Sequence, residues 1–357
     1  MPSQDERLVF ISACAPGDEG AICAYQLDVE GAQLKLVHRT TGVENPFFFA
    51  ISSDDRYLYA LHSEGSGGTE HDQVAAYQVV GNSGHLKLLN RQSALGSAAC
   101  YVDIDKTGKM VVLSNYATGN VASYPVAEDG SLGESSSAIQ HEGSSVDASR
   151  QEGPHAHCFV ISPDNRFVYA ADLGLDKVLG YRLDPATANL TSNLQAFVPT
   201  EPGAGPRHLT FHPNGKHMYV IHELKNAVTL FDYNADTGVL IERQTISTLP
   251  DDFDGTSHCA DVKITPNGRF LYGTNRGHDS IAVYRLDESG RLTLSGIEAS
   301  LGQGPQNLAI DPGGELLLCA NMVGNNVVIF RIDPHTGGLT PAGEPVSLPS
   351  PSCIMFI

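Results

Sequence analysis

Short apolar segments alternate with polar turns along the whole chain, and helix-period runs of apolar residues are absent. One unit recurs. It has an apolar strand, a turn rich in Pro, Asp, Asn and Gly, a second strand with a polar end, and a third strand ending in Tyr or Phe. Its clearest copy is ISPDNRFVYAADLGLDKVLGYRLDPATANL. Other copies are ISSDDRYLYALHSE, IDKTGKMVVLSNYATGNVASYPV, FHPNGKHMYVIHELKNAVTLFDY, ITPNGRFLYGTNRGHDSIAVYRLD and IDPGGELLLCANMVGNNVVIFRID.

The spacing of these units predicts the architecture. The second residue of the first turn recurs at intervals of 53, 57, 50, 53 and 46 residues, at Asp55, Gly108, Asn165, Gly215, Gly268 and Gly314. A period of about 50 residues suits a four-stranded propeller blade. The N-terminal LVFISACAPGDEGAICAYQLD lacks the first strand of the unit, and the chain ends in the apolar strand SCIMFI. Together they predict a blade closed by both termini, which leaves no edge strand free.

We therefore expect an all-β chain forming a single domain over residues 1–357. The predicted fold is a seven-bladed β-propeller of four-stranded antiparallel blades. WD-type repeats are disfavoured because the chain has no tryptophan.

Composition narrows the class of partner. The chain has 22 basic and 41 acidic side chains and a net charge of −19, so nucleic acid and anionic membranes are disfavoured. No stretch has the roughly 18 consecutive apolar residues of a membrane helix, and the first residues lack a signal-peptide pattern. The seven cysteines contain no CxxC pair, so most are expected to be reduced and buried. These features predict a soluble, cytoplasmic protein of unknown oligomeric state.

Strand alternation sorts the polar residues onto two faces of the disc. The SPDNR, HPNGK, TPNGR, DPATA and DPHTG turns belong to one face, where their composition is ordinary turn chemistry. The opposite face receives the links between blades and the ends of the second strands. We expect the following residues there, around the central mouth: Asn115, His155, His157, Asp172, Arg207, His208, Glu223, Arg276, Gln306 and Asn321. Titratable groups that converge on a concave mouth are candidates for a site.

Each charged group has a catalytic and a structural interpretation. Arg207 and Arg276 could each hold a carboxylate or phosphate, or pair with a neighbouring acid. Glu223 could transfer a proton or be the structural partner of Arg207. His155 and His157, two residues apart, would point the same way on an extended strand. They could serve acid–base chemistry or simply pack, and a metal is disfavoured because no third ligand has a recognisable spacing.

Other chemistries lack their motifs. No GxSxG sequence, catalytic-looking Cys/His pair or phosphate-binding glycine loop followed by a helix is found, so covalent catalysis and nucleotide use are disfavoured. We predict no cofactor. Residues 133–154 form a long polar link on the candidate face, which could be a lid or a flexible connector.

Three segments carry a resemblance to a known family. They are GSSVDASRQEGPHAHCFVISPDNRFVYAADLGLDKVLGY, GAGPRHLTFHPNGKHMYVIHELKNAV and CADVKITPNGRFLYGTNRGHDSIAVY. In these, the chain resembles the seven-bladed lactonase family, which includes bacterial-type 6-phosphogluconolactonase and 3-carboxy-cis,cis-muconate lactonizing enzyme. The resemblance implies cofactor-free chemistry on a lactone at the channel mouth. It also implies that His157, Arg207, Glu223 and Arg276 are the catalytic set.

The favoured hypothesis is hydrolysis of a sugar-acid lactone, an anionic or polyhydroxylated small molecule. Glu223 or His157 would activate water, and the substrate would contact His155, His208, Asn115, Asp172, Gln306 and Asn321. A cycloisomerase acting on a muconate is the alternative, and a non-enzymatic protein-binding propeller is the third. Family members commonly carry Pro-Arg where this chain has Pro305-Gln306, which weakens the case for a strongly anionic or phosphorylated substrate.

Overall fold

The structure, a computed structural model, describes residues 6–63, 68 and 71–357. Within these residues, 28 strands form seven antiparallel sheets of four strands, and short 3₁₀ turns occur at Gly17–Glu19 and Gly81–Ser83. The predicted seven-bladed β-propeller is confirmed. The absence of a signal-peptide pattern is predicted from the first residues of the chain, which lie mostly outside the described residues. No helix in the described part of the chain has the length and apolar character of a membrane span.

The blades follow chain order, and each is numbered by its position. Blade 1 contains β1 (Glu6–Ala13), β2 (Ala21–Asp28), β3 (Gln33–Thr40) and β28 (Pro351–Phe356). Blade 2 contains β4 (Phe49–Ile51), β5 (Tyr57–His62), β6 (Gln73–Val80) and β7 (His85–Ser93). Blade 3 contains β8 (Ala99–Ile104), β9 (Met110–Asn115), β10 (Asn120–Pro125) and β11 (Ser137–Gln140). Blade 4 contains β12 (Ala156–Ile161), β13 (Phe167–Asp172), β14 (Lys177–Asp184) and β15 (Asn189–Pro199).

The remaining three blades have the same order of strands. Blade 5 contains β16 (Pro206–Phe211), β17 (His217–His222), β18 (Ala227–Asn234) and β19 (Val239–Ser247). Blade 6 contains β20 (His258–Ile264), β21 (Phe270–Arg276), β22 (Ser280–Leu286) and β23 (Leu292–Ala299). Blade 7 contains β24 (Pro305–Ile310), β25 (Leu316–Asn321), β26 (Asn326–Ile332) and β27 (Leu339–Ser347).

Blade 1 is closed by both ends of the described chain. Strand β28 pairs antiparallel with β1 and takes the innermost position, in the sheet order β28-β1-β2-β3. The hydroxyls of Ser12 and Ser352 are 2.9 Å apart in this buried seam, and Cys353 N donates to Ser12 Oγ at 2.8 Å. The orphan C-terminal strand predicted from the sequence therefore completes the ring.

The turn residues that set the sequence period share one backbone conformation. All six lie at positive φ, between 58° and 73°: Asp55, Gly108, Asn165, Gly215, Gly268 and Gly314. Glycine, asparagine and aspartate tolerate this left-handed region best, which explains why the repeat allows so few residue types there. The repeat visible in the sequence therefore reflects a turn that each of these blades requires, with one residue in the left-handed conformation.

Buried tyrosines tie neighbouring blades together. A tyrosine in the second strand donates its hydroxyl to a glycine carbonyl in a turn of the next blade. The pairs are Tyr59 with Gly130 (3.0 Å), Tyr169 with Gly238 (2.6 Å), Tyr219 with Gly290 (2.8 Å) and Tyr272 with Gly337 (2.8 Å). Apolar residues of adjacent sheets fill the space between blades. The inner strands are thus held rigidly around the channel.

The inner strands change pairing register near the site-bearing end of the channel. In four blades one residue is skipped in the pairing with the second strand, as in a β-bulge. The skipped residues are Cys100, His157, Arg207 and Gln306. A bulge redirects the side chain it contains. All four side chains line the central cavity.

Candidate active site

The channel opens into a cavity of about 590 Å³ on the face where the links and second-strand ends meet. Five of the predicted residues line it: His157, Arg207, Glu223, Arg276 and Gln306. The opposite wall, from blades 1, 2 and 7, includes apolar side chains such as Phe47, Leu61 and Met322. A second depression of about 600 Å³ lies on the turn face, but turns of blades 5 and 6 line it, and it lacks the convergence of several blades.

Glu223 is the centre of the charged wall. It follows β17, where its backbone N–H donates to Gly205 O at 2.7 Å. Its Oε2 accepts from Arg207 Nε at 2.8 Å and lies 2.8 Å from Arg276 Nη2, while its Oε1 accepts from Arg150 Nη2 at 2.6 Å. Three guanidiniums from different parts of the ring therefore meet on one carboxylate.

The arginines fix the charge state of that carboxylate. Burial alone would raise the pKa of Glu223, but Arg276 and Arg207 outweigh burial and hold the pKa well below its usual range. Glu223 is therefore ionised at neutral pH, with both oxygens engaged. A carboxylate in this state is a poor acceptor for a further proton.

Arg207 is almost fully buried, with 1% of its surface exposed. Its Nε donates to Glu223 and its Nη1 to Ala260 O at 2.6 Å, and Nη2 makes no hydrogen bond within the described residues. Burial and the neighbouring Arg276 lower the pKa of Arg207 to about 10, so it stays protonated at neutral pH. One donor nitrogen of a rigid cation thus remains available to a bound molecule.

Arg276 and Arg150 are more accessible than Arg207, with about a quarter and a third of their side chains exposed. Arg276 ends β21 and donates to Cys259 O at 3.0 Å. Its Nη1 lies 3.5 Å from Gln306 Oε1, so the uncharged Gln306 contacts the cation at the cavity wall. Three arginines (Arg150, Arg207 and Arg276) and two acids (Glu223 and Asp72) line the cavity, so it carries excess positive charge in a chain whose net charge is −19.

Arg150 was missing from the residues predicted from the sequence. It lies in the link 141–155, which is folded back on the ring: Ser145 Oγ donates to Asp176 Oδ2 at 2.5 Å, and Gln151 Nε2 to Leu173 O at 2.8 Å. Arg150 is the one arginine or lysine of the polar link 133–154, and this was the signal available in the sequence. Part of that link is β11, the outer strand of blade 3, so the first part of the link is sheet.

His157 is a buried residue that borders the cavity. Burial lowers the pKa of His157 well below its ordinary value, and Arg207 and His208 lower it further. The imidazole is therefore neutral at physiological pH and able to accept a proton. Tyr116 separates it from His155, because His155 stacks on the Tyr116 ring at 4.6 Å and His157 meets that ring edge-on at 5.4 Å.

The other predicted contact residues lie behind the cavity wall. His155 Nδ1 bonds to Tyr116 O at 2.9 Å, and His208 Nδ1 lies 2.8 Å from Asp261 Oδ1. Neither side chain is part of the cavity lining. His208 nevertheless contacts His157, with ring centroids 5.3 Å apart.

Asn115, Asp172 and Asn321 are fully buried and make structural hydrogen bonds. Asn115 Nδ2 donates to Ala94 O at 2.9 Å, and Asn321 Nδ2 to Ser300 O at 3.1 Å, so each holds the link that enters its blade. Asp172 accepts the backbone N–H of His155 at 2.8 Å and lies 2.6 Å from His141 Nδ1. None of these three lines the cavity, so none is placed to contact a molecule bound there.

The cavity wall also contains thiols. Burial raises the pKa of Cys100 to about 12 and that of Cys14 to about 11, so both remain protonated at neutral pH. Among the described residues, no group of three or more His, Cys, Asp or Glu side chains is arranged to hold a metal ion.

Comparison with known proteins shows the family to which this chain belongs. Residues 8–356 match the family model described as "Lactonase, 7-bladed beta-propeller". A protein of Bacillus subtilis (strain 168) named 6-phosphogluconolactonase is 37% identical over 350 residues, 98% of this chain and 97% of the relative. A Formosa agariphila protein of the same name is 33% identical over 323 residues, 89% of this chain and 90% of the relative.

Solved structures agree with these relatives. The periplasmic gluconolactonase PpgL of Pseudomonas aeruginosa superposes with a TM-score of 0.92 at 31% identity, covering 99% of both chains. A Bacteroides fragilis protein superposes with a TM-score of 0.93 at 30% identity, covering 100% of this chain and 99% of the other. This chain belongs to the seven-bladed β-propeller lactonase family.

Proposed function

We propose that this lactonase hydrolyses a sugar-acid lactone that carries an anionic group, of the class that includes 6-phosphogluconolactone. The observation that carries this proposal is the cluster of Arg150, Arg207 and Arg276 on a single carboxylate at the cavity mouth. Guanidinium groups bind carboxylate and phosphate with paired, charge-assisted hydrogen bonds. The Bacillus subtilis relative, named for the phosphorylated substrate, supports the same class.

Arg150 bears on the substrate's charge. Arg207 and Arg276 are the two arginines predicted from the sequence, and Gln306 stands where the family resemblance implies an arginine. Arg150 supplies a third guanidinium from the link instead, one-third exposed and 2.6 Å from Glu223. We assign Arg150 and Arg276 to the anionic group of the substrate, because both are accessible from the cavity mouth.

His157 is the group best suited to activate water. It borders the cavity in its neutral, proton-accepting form, whereas both carboxylate oxygens of Glu223 are engaged by arginines. In the proposed step His157 Nε2 takes a proton from water as the water oxygen bonds to the lactone carbonyl carbon. Arg207 Nη2 stabilises the oxyanion that forms. The C–O bond of the lactone ring then breaks, and the departing ring oxygen receives that proton from His157.

Direct attack by water agrees with the state of the cavity thiols. Cys14 and Cys100 remain protonated at neutral pH, so neither is a ready nucleophile. Glu223 acts in this proposal by holding the three arginines in position. The cytoplasmic location and the absence of nucleic-acid partners stay predictions, and PpgL is described as periplasmic.

The test compares two lactones that differ by one phosphate. Hydrolysis of 6-phosphogluconolactone and of gluconolactone is followed by acid release after subtraction of the spontaneous rate. We expect kcat/KM to be at least about 10-fold higher for the phosphorylated lactone, since a charge-assisted hydrogen bond contributes about 1.5–3 kcal/mol. Equal values would contradict the anionic part of the proposal, and no enzymatic hydrolysis of either would contradict the whole.

Two further experiments test the cycloisomerase alternative and the role of the arginine cluster. Incubation with 3-carboxy-cis,cis-muconate, followed by loss of its ultraviolet absorbance, detects a cycloisomerase. An Arg150→Met variant, with Arg56→Met on the opposite face as the matched control, asks whether the phosphate preference depends on the cluster. Arg56 pairs with Asp54 at 2.6 Å and is two-thirds exposed.

A further inference from the structure

Asp261 and His208 form a buried pair beneath the cavity. His208 Nδ1 and Asp261 Oδ1 are 2.8 Å apart, and the two side chains are 4% and 1% exposed. Asp261 Oδ2 accepts from Asn307 Nδ2 at 2.7 Å and from Leu308 N at 2.9 Å, and Lys263 Nζ lies 2.8 Å from the carboxylate. Since these partners donate to Asp261 and hold its pKa well below the usual range despite burial, the carboxylate is ionised. It therefore accepts the Nδ1–H of His208.

This bond defines the tautomer of His208. Burial and the neighbouring Arg207 lower the pKa of His208 to about 4, so the ring is neutral at physiological pH. A neutral imidazole with its proton on Nδ1 carries a lone pair on Nε2. That Nε2 is fully enclosed and has no hydrogen-bond partner among the described residues. Phe48 and Tyr101 pack edge-on against the ring and hold its orientation.

His157 has the complementary enclosed nitrogen. Its Nδ1 is also buried without a partner in the described part of the chain, and its ring centroid lies 5.3 Å from that of His208, at an interplanar angle of 68°. Buried polar atoms left unpaired by protein groups are commonly joined by an ordered water, and these two nitrogens belong to rings in edge-to-face contact. Nε2 of His157 is not enclosed in this way, and the residue lines the cavity.

We propose that Asp261 and His208 are positioning residues that act on His157 through one bridging water. Asp261 fixes the proton of His208 on Nδ1. Nε2 of His208 then accepts a hydrogen bond from the water, which accepts from Nδ1–H of His157. His157 is left with its lone pair on Nε2, directed to the cavity. The inference rests on the proposed function in that His157 is the group that takes the proton from water.

The arrangement also stabilises the protonated state of His157. When Nε2 takes the proton of the attacking water, the positive charge forms beside Arg207. The bridging water and His208 then let the Asp261 carboxylate offset part of that charge, as the aspartate does in a Ser-His-Asp triad. The proton on Nε2 passes to the ring oxygen of the opening lactone, so no further reactant is needed.

Histidine tautomers can be measured without substrate. Long-range ¹H–¹⁵N correlation spectra of the whole protein distinguish Nδ1–H from Nε2–H rings, and His157→Gln and His208→Gln variants assign the two signals. We expect Nδ1–H for both residues. In Asp261→Asn the new amide donates to His208 Nδ1, so both rings should change to Nε2–H. An Nε2–H form of His157 in the parent, or an unchanged His157 in Asp261→Asn, overturns the inference.

Steady-state kinetics distinguish a positioning role of Asp261 and His208 from a role in folding alone. We expect Asp261→Asn and His208→Gln to lower kcat at least about 10-fold with KM within about threefold, by analogy with loss of the triad aspartate. The matched control is Asp232→Asn, since Asp232 lies 3.2 Å from His217 Nδ1 on the turn face. Its kinetics should equal the parent's.

The outcomes distinguish this inference from the proposed function. If His157→Gln abolishes hydrolysis while folded Asp261→Asn and His208→Gln keep the parent kcat, the positioning role is wrong and the proposed function stands. If the parent hydrolyses no lactone, the proposed function fails, and the parent spectrum still decides the tautomer. Should Asp261→Asn fail to fold, the parent spectrum and His208→Gln provide the test.

Discussion

Arg207 Nε donates to Glu223 Oε2 at 2.8 Å, which joins the two ends of one β-hairpin inside the ring. Arg207 is the residue skipped in the pairing of β16, and Glu223 directly follows β17. Both are buried, and Arg150 and Arg276 reach the same carboxylate from the link 141–155 and from blade 6. The pair therefore organises the charged wall of the cavity.

Replacing Glu223 by glutamine should harm stability and activity together. The change leaves Arg207 buried without its counterion, and breaking a buried ion pair costs about 3–5 kcal/mol. We expect a loss of about 3 kcal/mol in the free energy of unfolding, measured by urea denaturation, and a fall in kcat/KM of about 100-fold. Glu288→Gln, an exposed change on the turn face, is the control and should lie within about 0.5 kcal/mol of the parent. A Glu223→Gln protein as stable as the parent would contradict this account of the wall.

Arg150→Met should act on substrate affinity. The guanidinium is one-third exposed, so its loss should change the free energy of unfolding by at most about 1 kcal/mol. Loss of a charge-assisted contact should raise KM for a phosphorylated lactone about 10-fold, with kcat within about threefold. Steady-state kinetics on the phosphorylated and neutral lactones measure the effect. The assignment of Arg150 fails if KM for both substrates stays at the parent value.

Buried histidines should weaken the fold in acid. Burial lowers the pKa of His222 to about 4, against an ordinary value of 6.5. Between these values the unfolded chain binds a proton that the folded chain does not, so stability present above pH 6.5 is lost as the pH falls towards 4. One such histidine accounts for about 3 kcal/mol, and His208 behaves in the same way.

Urea denaturation at pH 7, 5.5 and 4 measures this loss. In His222→Gln the free energy of unfolding should fall by about 3 kcal/mol less over that range, because one proton uptake site is removed. His222 lies outside the cavity, and its Nε2 bonds to Thr229 Oγ1 at 2.7 Å. An identical pH dependence in parent and variant would show that His222 titrates normally in the folded protein.

Cys100 should be dispensable for catalysis although it lines the cavity. Its thiol is buried, and burial raises its pKa to about 12, so it supplies no thiolate near neutral pH. We expect Cys100→Ala to keep kcat within about threefold of the parent, and brief treatment with iodoacetamide to leave activity intact. Loss of activity in a folded Cys100→Ala protein would point to a covalent step.

The fold could be predicted because its period rests on backbone chemistry. The left-handed turn residues recur once in each of blades 2 to 7, and few residue types suit them. The up-and-down order of the strands determines on which face of the propeller each polar residue lies. This order alone therefore predicts that Arg207, Glu223 and Arg276 lie at the same mouth of the channel.

The finer geometry of the site could not be predicted in this way. Asn115 and Asn321 end second strands as Arg276 does, yet they turn to the links and bind backbone carbonyls. Which inner-strand residue is skipped depends on pairing register, which the sequence pattern does not specify. The contact of Arg150 with Glu223 depends on the path of the link 141–155, which the sequence pattern does not specify.

The skipped residues of the inner strands separate the chemistry of the cavity from the pairing of the sheets. Cys100, His157, Arg207 and Gln306 occupy equivalent places on four radial sheets, and hydrogen bonding of their neighbours maintains each sheet. A substitution at one of these places would change the cavity lining. The hydrogen bonds of the buried tyrosines and the pairing of β28 with β1 involve other residues. These four positions therefore set the chemistry of the cavity from sheets whose backbone hydrogen bonds do not depend on their side chains.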